Sequence, residues 1–307
     1  LLRSLLKNAR VLRILCFLCL LVAAAWAQDV RPMVGKLVSH RTTAGEDLVQ
    51  VALKYRLGVD HLAFANGFPI TTLEVEQDTP VFIPSWRILP ANPPKNGIVI
   101  NLAERILYLC KNGRFVRFYP ISIGDESAEK GRFQTPTGNY SIIEKIKDPT
   151  WYPPSWAKDR RPVGPGPNNP LGERWIGLSL PRTGVHGTND PLNIGNSVTH
   201  GCMRTHPALL RELYDSVGVG FVARIEYETA KLGRGPDGAL YIANYPDVYK
   251  KMPSLEAAQR LLKRVGVKPA RDNFEELLRL QLGMPLKIKG TGSVFSEWAS
   301  ESGAEVE

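Results

Sequence analysis

"TGVHGTNDPLNIGNSVTHGCMRTHP", Thr183 to Pro207, gathers three of the chain's five histidines and one of its four cysteines. A chain of 307 residues that uses these side chains so rarely, and then together, poses three readings: a metal site, a thiol beside its base, or coincidence in a turn-rich segment. His186, His200, Cys202 and His206 are all ligand types. Zinc sites, however, pair their ligands at short spacing on two arms, and this spacing matches no such pattern. No metal is expected.

For catalysis the spacing is more favourable. A thiol titrates near 8.5, so it reacts at neutral pH only with help from an imidazole in hydrogen-bond reach. In extended chain, positions i and i+2 share a face, which would put His200 beside Cys202. His186 lies before Asn189-Asp190-Pro191, a turn-forming cluster, and a hairpin-like return would bring it to Cys202 from the facing strand. Gly201 lets the backbone bend and leaves two N–H groups, its own and that of Cys202, for a developing oxyanion. On spacing alone, a buried structural cysteine with hydrogen-bonded histidines remains an equal alternative. His206, just past the cluster, has no assigned role and is expected to be exposed at a helix start.

Outward from this stretch the chain reads as many short strands. Ile98–Leu102, Ile106–Cys110, Phe115–Ile123, Tyr140–Ile146, Trp175–Leu180 and Phe221–Tyr227 are strand candidates, with an Asn112-Gly113 hairpin turn and one helix over Leu209–Val217. That pattern predicts a curved sheet, sandwich or open barrel. Between Asp148 and Pro170 lie seven prolines with Trp151, Tyr152 and Trp156. This is neither helix nor central strand, and its aromatics predict a lid over the sheet. Cys110 sits at a packing position beside the turn, so no disulfide with Cys202 is expected.

Residues 36–84 form a smaller unit. Gly45 supplies a turn, Asp47 a helix start, and Leu48, Val51, Ala52 and Tyr55 one helical face. A second short helix, Val59–Ala65, ends at Asn66-Gly67, and Val81–Ile83 is a strand. "ILPANPPKNG", Ile88–Gly97, reads as a linker, giving a boundary segment of 85–97. After Gly233 the character changes to amphipathic helices, Leu255–Val265 and Phe274–Leu282, with Ser254 and Asp272 as caps. Residues 229–290 are therefore expected to be a small helical subdomain, and 291–307 a disordered tail.

Net charge is +9, part of it in Arg3, Lys7, Arg10 and Arg13 ahead of the apolar run Ile14–Ala25. With Ala25-Trp26-Ala27 following, residues 1–27 read as a cleaved secretory signal peptide. A modestly basic mature chain suits an anionic envelope, and nothing reads as a nucleic-acid module.

"HGTNDPLNIGNSVTHGCMR" resembles the active-site signature of the YkuD-type L,D-transpeptidases, and "NGIVINLAERILYL", "TPTGNYSIIEKIKDPTWYPP" and "GPNNPLGERWIGLSL" also resemble that catalytic domain. The 36–84 unit resembles a LysM module, a binder of N-acetylglucosamine-containing glycans. Together they resemble the ErfK/YbiS-type envelope enzymes of Gram-negative bacteria. The resemblance implies a mostly β protein: a LysM-like α+β module, a β-sandwich catalytic domain over 97–228, and the C-terminal subdomain. It implies Cys202 as nucleophile and His186 as base, oriented by the Gly187 carbonyl. Gly201 and Cys202 would offer oxyanion N–H groups, while His200, Arg204, Thr199, Trp151 and Trp156 line the site. No cofactor is implied. The thiol should be flanked by histidine and its pKa depressed. The partners implied are peptidoglycan stem peptides and glycan strands, with diaminopimelate or the lysine of an outer-membrane lipoprotein as acceptor, in the periplasm. An L,D-carboxypeptidase, a lipoprotein-releasing hydrolase and a non-catalytic peptidoglycan binder are the alternatives.

Overall fold

The chain enters through β1 (Val30–Val34) and β2 (Leu37–Arg41), then forms α1 (Leu48–Tyr55), α2 (Val59–Ala65) and β3 (Pro80–Pro84). This is a computed structural model; it describes residues 30–69, 71–127, 131–154, 157–269 and 273–288. The expected leader 1–27, the tail 291–307, Trp156 and Asp272 lie outside the described residues. Asp47 caps α1 as its position predicts. Its carboxylate accepts the Gln50 N–H at 2.7 Å, and the Gln50 side chain accepts the Asp47 N–H at 3.0 Å. Two donors that a helix end would otherwise leave orphaned are thereby satisfied. Leu48, Val51 and Ala52 of α1 pack with Val59, Leu62 and Ala63 of α2 over Val81 and Ile83 of β3. β2 and β3 pair antiparallel, so the unit is strand–helix–helix–strand.

The segment expected to be a linker is not free chain. Arg87 and Ile88 form β4, paired to β1, and both are fully buried. Beyond them the carbonyls of Ala91 and Asn92 accept from the Arg224 guanidinium. The module is also tied to the rest of the protein by Arg56, whose Nη2 donates to Glu212 Oε2 at 2.6 Å.

The next strands are β5 (Asn96–Asn101), β6 (Ile106–Lys111), β7 (Arg114–Pro120), β8 (Ile123–Gly124), β9 (Gly138–Lys147), β10 (Arg174–Leu178), β11 (Gly184–His186), β12 (Ser197–Thr199) and β13 (Met203–Arg204). α3 (Pro207–Ser216) and β14 (Val222–Glu226) follow. Asn112 and Gly113 turn β6 into β7 with φ of +52° and +72°. Both are left-handed, as a two-residue hairpin with the strands' own twist requires. Eight strands make one sheet in the order β13-β11-β10-β9-β14-β5-β6-β7, and β8 pairs with β12. Inward residues of every strand of the large sheet, from Ile98 and Leu107 to Val185 and Met203, meet in a single core that Leu209, Leu210 and Leu213 of α3 close. The sheet is therefore wrapped around its core. The protein is mostly β, as the sequence predicts.

The C-terminal region differs from its helical expectation. β15 (Ala230–Arg234), β16 (Leu240–Asn244), α4 (Ser254–Arg264), α5 (Phe274–Arg279) and β17 (Leu286–Lys287) include three strands. They join β1 and β4 in a sheet ordered β17-β16-β15-β1-β4. The subdomain is thus completed by chain from the other end of the sequence. Lys231 and Gly233 interrupt the apolar pattern of β15. Lys231 is nevertheless fully buried, because its ammonium is paired with Glu104 beneath it, and a buried charge is tolerated only when so paired. Ser254 does not cap α4; its hydroxyl donates to the Tyr245 carbonyl at 2.5 Å.

Candidate active site

β11 and β13 lie side by side and parallel, with Val185 opposite Met203 and His186 opposite Arg204. The hairpin-like return expected from sequence is therefore replaced by a parallel crossover. The outcome for the side chains follows from strand alternation. Val185 and Met203 point into the core with no exposure. His186 and Arg204 take the opposite face, and Cys202, one step before β13, lies close enough to Arg204 to feel its charge.

His186 is buried, and its Nδ1 lies 2.7 Å from the Gly187 carbonyl oxygen. Burial first, and then the Arg204 charge, push its pKa down to about 3 against the opposing pull of that carbonyl. The ring is neutral at pH 7. A carbonyl only accepts, so Nδ1 carries the hydrogen and Nε2 presents a lone pair. The Trp175 ring stacks on the imidazole, with centroids 5.8 Å apart and planes at 26°. Trp175 stands opposite His186 in the β10–β11 ladder. Gly184 makes room for it, since a Cβ there would meet the indole at 2.7 Å. Sequence reading missed Trp175, because a tryptophan in a strand carries no signal of its neighbour across the sheet.

Cys202 is partly buried and free, as is the buried Cys110. Its Sγ lies 3.5 Å from the Arg182 carbonyl oxygen. Burial raises its pKa, and neither the Gly184 N–H bonded to it nor the Arg204 charge reverses that. The depressed thiol expected from sequence is not found: at rest the site holds a thiol and a neutral imidazole. Alkylation of Cys202 by iodoacetamide should consequently rise with a midpoint above the ordinary thiol value of about 8.5. A midpoint below about 8, read by mass spectrometry of the Cys202 peptide, would contradict this.

The buried imidazole also has a stability consequence. Its folded pKa lies below the unfolded value of about 6.5, so the unfolded chain binds the extra proton. The contribution is complete above about pH 6.5 and is lost as pH falls toward 3. At pH 4 the loss is on the order of 3 kcal/mol from this group. Denaturant titrations at pH 7 and pH 4 should show wild type losing that much more than His186→Asn; equal losses would refute it.

The turn between β12 and β13 is not extended. Gly201 has φ of +109°, so His200 and Cys202 do not share a strand face. His200 is exposed, packs edge-on against Phe133 at 4.4 Å, and is held below its usual pKa by partial burial and Arg204. Thr199 is buried rather than lining a substrate surface. Its hydroxyl donates to the Cys202 carbonyl at 2.6 Å and accepts the Gly201 N–H at 3.2 Å. That bond occupies the Gly201 N–H, one of the two expected oxyanion donors. Arg204 keeps its place beside the thiol, and its Nε is buried without a partner among the described residues. His206 is partly buried, not exposed; its Nδ1 accepts the Ala208 N–H at 3.2 Å and caps α3.

The proline-dense segment is ordered where described. Trp151 and Val163 exchange backbone hydrogen bonds at 2.8 and 2.9 Å. Asn169, itself buried, donates to the carbonyls of Pro149, Val163 and Gly164. Its foot reaches the histidine strand: a Cβ at Gly172 would come within 3.1 Å of Gly187 Cα. Trp151's bonds run to Val163 and not to Cys202. A cavity of about 320 Å³ opens elsewhere, between α2, the β5–β6 turn and Tyr245, and neither Cys202 nor His186 lines it.

A thiol, a neutral base with a fixed tautomer and a neighbouring arginine can carry out acyl transfer. Comparison with known proteins agrees. The YkuD model, an L,D-transpeptidase catalytic domain, matches residues 95–225. The Fuscovulum blasticum protein named "Putative L,D-transpeptidase in ATP synthase subunits region ORF 5" is 34% identical over 53% of this chain and 92% of its own length. YcfS of Escherichia coli strain K12, named a probable L,D-transpeptidase, is 28% identical over 80% of this chain and 81% of its own. YbiS of the same strain, named likewise, is 29% identical over 79% and 83%. The chain belongs to the YkuD family of L,D-transpeptidases.

Proposed function

We propose that the protein is a cysteine-dependent L,D-transpeptidase of the cell wall, with Cys202 as nucleophile and His186 as general base. The observation that carries this is the His186 tautomer. With Nδ1–H committed to Gly187 O, Nε2 is the acceptor, and His186 stands opposite Arg204, two residues after Cys202. The base takes the thiol proton as sulfur attacks the carbonyl joining an L-centre to the terminal D-alanine of a peptidoglycan stem. The C–N bond breaks, D-alanine leaves with that proton, and the acyl group remains on sulfur. An acceptor amine, from diaminopimelate or a lipoprotein lysine, then attacks the thioester. The Nε of Arg204, without a partner among the described residues, supports a role in receiving a stem carboxylate. The 36–84 module holds the glycan strand, and the chain is exported to the periplasm after cleavage near Ala27.

Incubation of the purified protein with tetrapeptide muropeptides, with and without an amine acceptor, tests the reading by mass spectrometry. Acceptor-linked product is expected. Tripeptide alone would replace transferase by carboxypeptidase, and no turnover would overturn the assignment.

A further inference from the structure

Hydrogen bonds lead from the C-terminal region to the turn that carries Cys202. The Tyr249 hydroxyl donates to the Gly124 carbonyl at 2.9 Å and accepts the Thr135 N–H at 3.1 Å. The Thr135 hydroxyl accepts the Gly124 N–H at 3.0 Å and donates to the Gly201 carbonyl at 3.1 Å. Thr135 is fully buried and Tyr249 is 5% exposed. Water therefore does not replace either hydroxyl, and a buried group left unpaired costs more than the bond was worth. Gly124 belongs to the same arrangement, because a Cβ there would collide with the Phe133 carbonyl oxygen.

The Gly201 carbonyl and the Cys202 N–H are the two ends of one planar peptide, and in a trans peptide they point in opposite directions. Among the described residues there is no cis peptide bond. Holding the carbonyl from the Thr135 side therefore fixes where the Cys202 N–H points, and polarises it. The neighbouring groups are already clamped, since Thr199 engages the Gly201 N–H and the Cys202 carbonyl. None of these bonds uses the Cys202 N–H. Tyr249 is itself well fixed. Its ring stacks on Tyr227 at 5.5 Å and 10°, and its N–H donates to the Tyr227 hydroxyl at 2.8 Å. That hydroxyl in turn donates to Asp247 at 2.7 Å.

We propose that Tyr249, acting through Thr135, is a positioning residue that aims the Cys202 N–H at the oxyanion formed during acyl transfer. The proposal rests on Cys202 being the nucleophile. It gives the C-terminal region a part in the chemistry, although that region contributes no group to the reacting atoms.

Two reactions at Cys202 in the full chain separate aiming from packing. With p-nitrophenyl acetate the thiolate adds to the carbonyl carbon, the oxygen carries the negative charge, and p-nitrophenolate leaves an acetyl group on sulfur. With iodoacetamide sulfur displaces iodide at a saturated carbon and no oxyanion forms. Thr135→Val should slow acetylation about 100-fold, the scale of a lost oxyanion donor, and Tyr249→Phe about ten-fold. Thr135→Ser should restore acetylation to within a few-fold of wild type. Alkylation at the same pH should stay within two-fold in all three. Tyr249→Phe keeps the stacked ring, so the comparison survives if Thr135→Val does not fold. Both rates falling together in Tyr249→Phe, or acetylation unchanged in it, would overturn the proposal. Neither reagent contains a stem peptide, so failure of the proposed function would show as absent muropeptide turnover while this ratio remained readable.

Discussion

Cys202→Ala should lower muropeptide turnover at least about 10⁴-fold, the scale seen when a covalent nucleophile is removed. On the proposed mechanism the acyl group is carried by the Cys202 sulfur. On that mechanism the variant keeps the backbone N–H at position 202 and Arg204 but has no nucleophile to divide the reaction into two steps. Cys110→Ala is the matching control. Cys110 is buried on β6, and burial pushes its pKa up to about 11, so it stays protonated. Its loss should leave turnover within a few-fold. Full activity in Cys202→Ala, measured by mass spectrometry of acyl-enzyme and product, would sink the assignment.

His186→Gln should cost about 10²- to 10⁴-fold in acylation, the range attributed to a general base. The reason is specific to this site. Because burial holds the thiol above its ordinary pKa, little thiolate exists at neutral pH and the proton must leave during attack. An enzyme with a preformed thiolate would depend far less on its base. The loss should therefore shrink as pH is raised and the thiol ionises unaided. A pH-independent deficit would point to a packing role for the imidazole under Trp175.

Local chemistry was legible in the sequence; long-range pairing was not. Asp47 before an apolar 3.6-residue pattern announced α1, and Asn112-Gly113 announced a hairpin. His186 and Cys202 stood out by type and spacing, and Gly187 only through the resemblance to the YkuD-type signature. The parallel approach of β11 and β13 did not, because strands of two and three residues have too little periodicity to declare a partner. Lys231 concealed β15, since a lysine reads as exposed until Glu104 is known to lie beneath it. The thiol's raised pKa was equally out of reach, being set by burial that only the assembled sheet creates.

The pairing of β1 with β15 has a consequence for how the protein is made. Arg31 of β1 meets Glu228, just before β15, across 197 residues of sequence. The first described strand to be synthesised must wait for one of the last, with its edge unpaired meanwhile. Contacts so distant along the chain slow folding, because loop-closure entropy is lost before they form. Truncations meant to isolate the catalytic unit by cutting before residue 96 would also remove two strands, β1 and β4, from the sheet at the other end. The first described strand and the C-terminal sheet are fastened to each other, so neither is complete without the other.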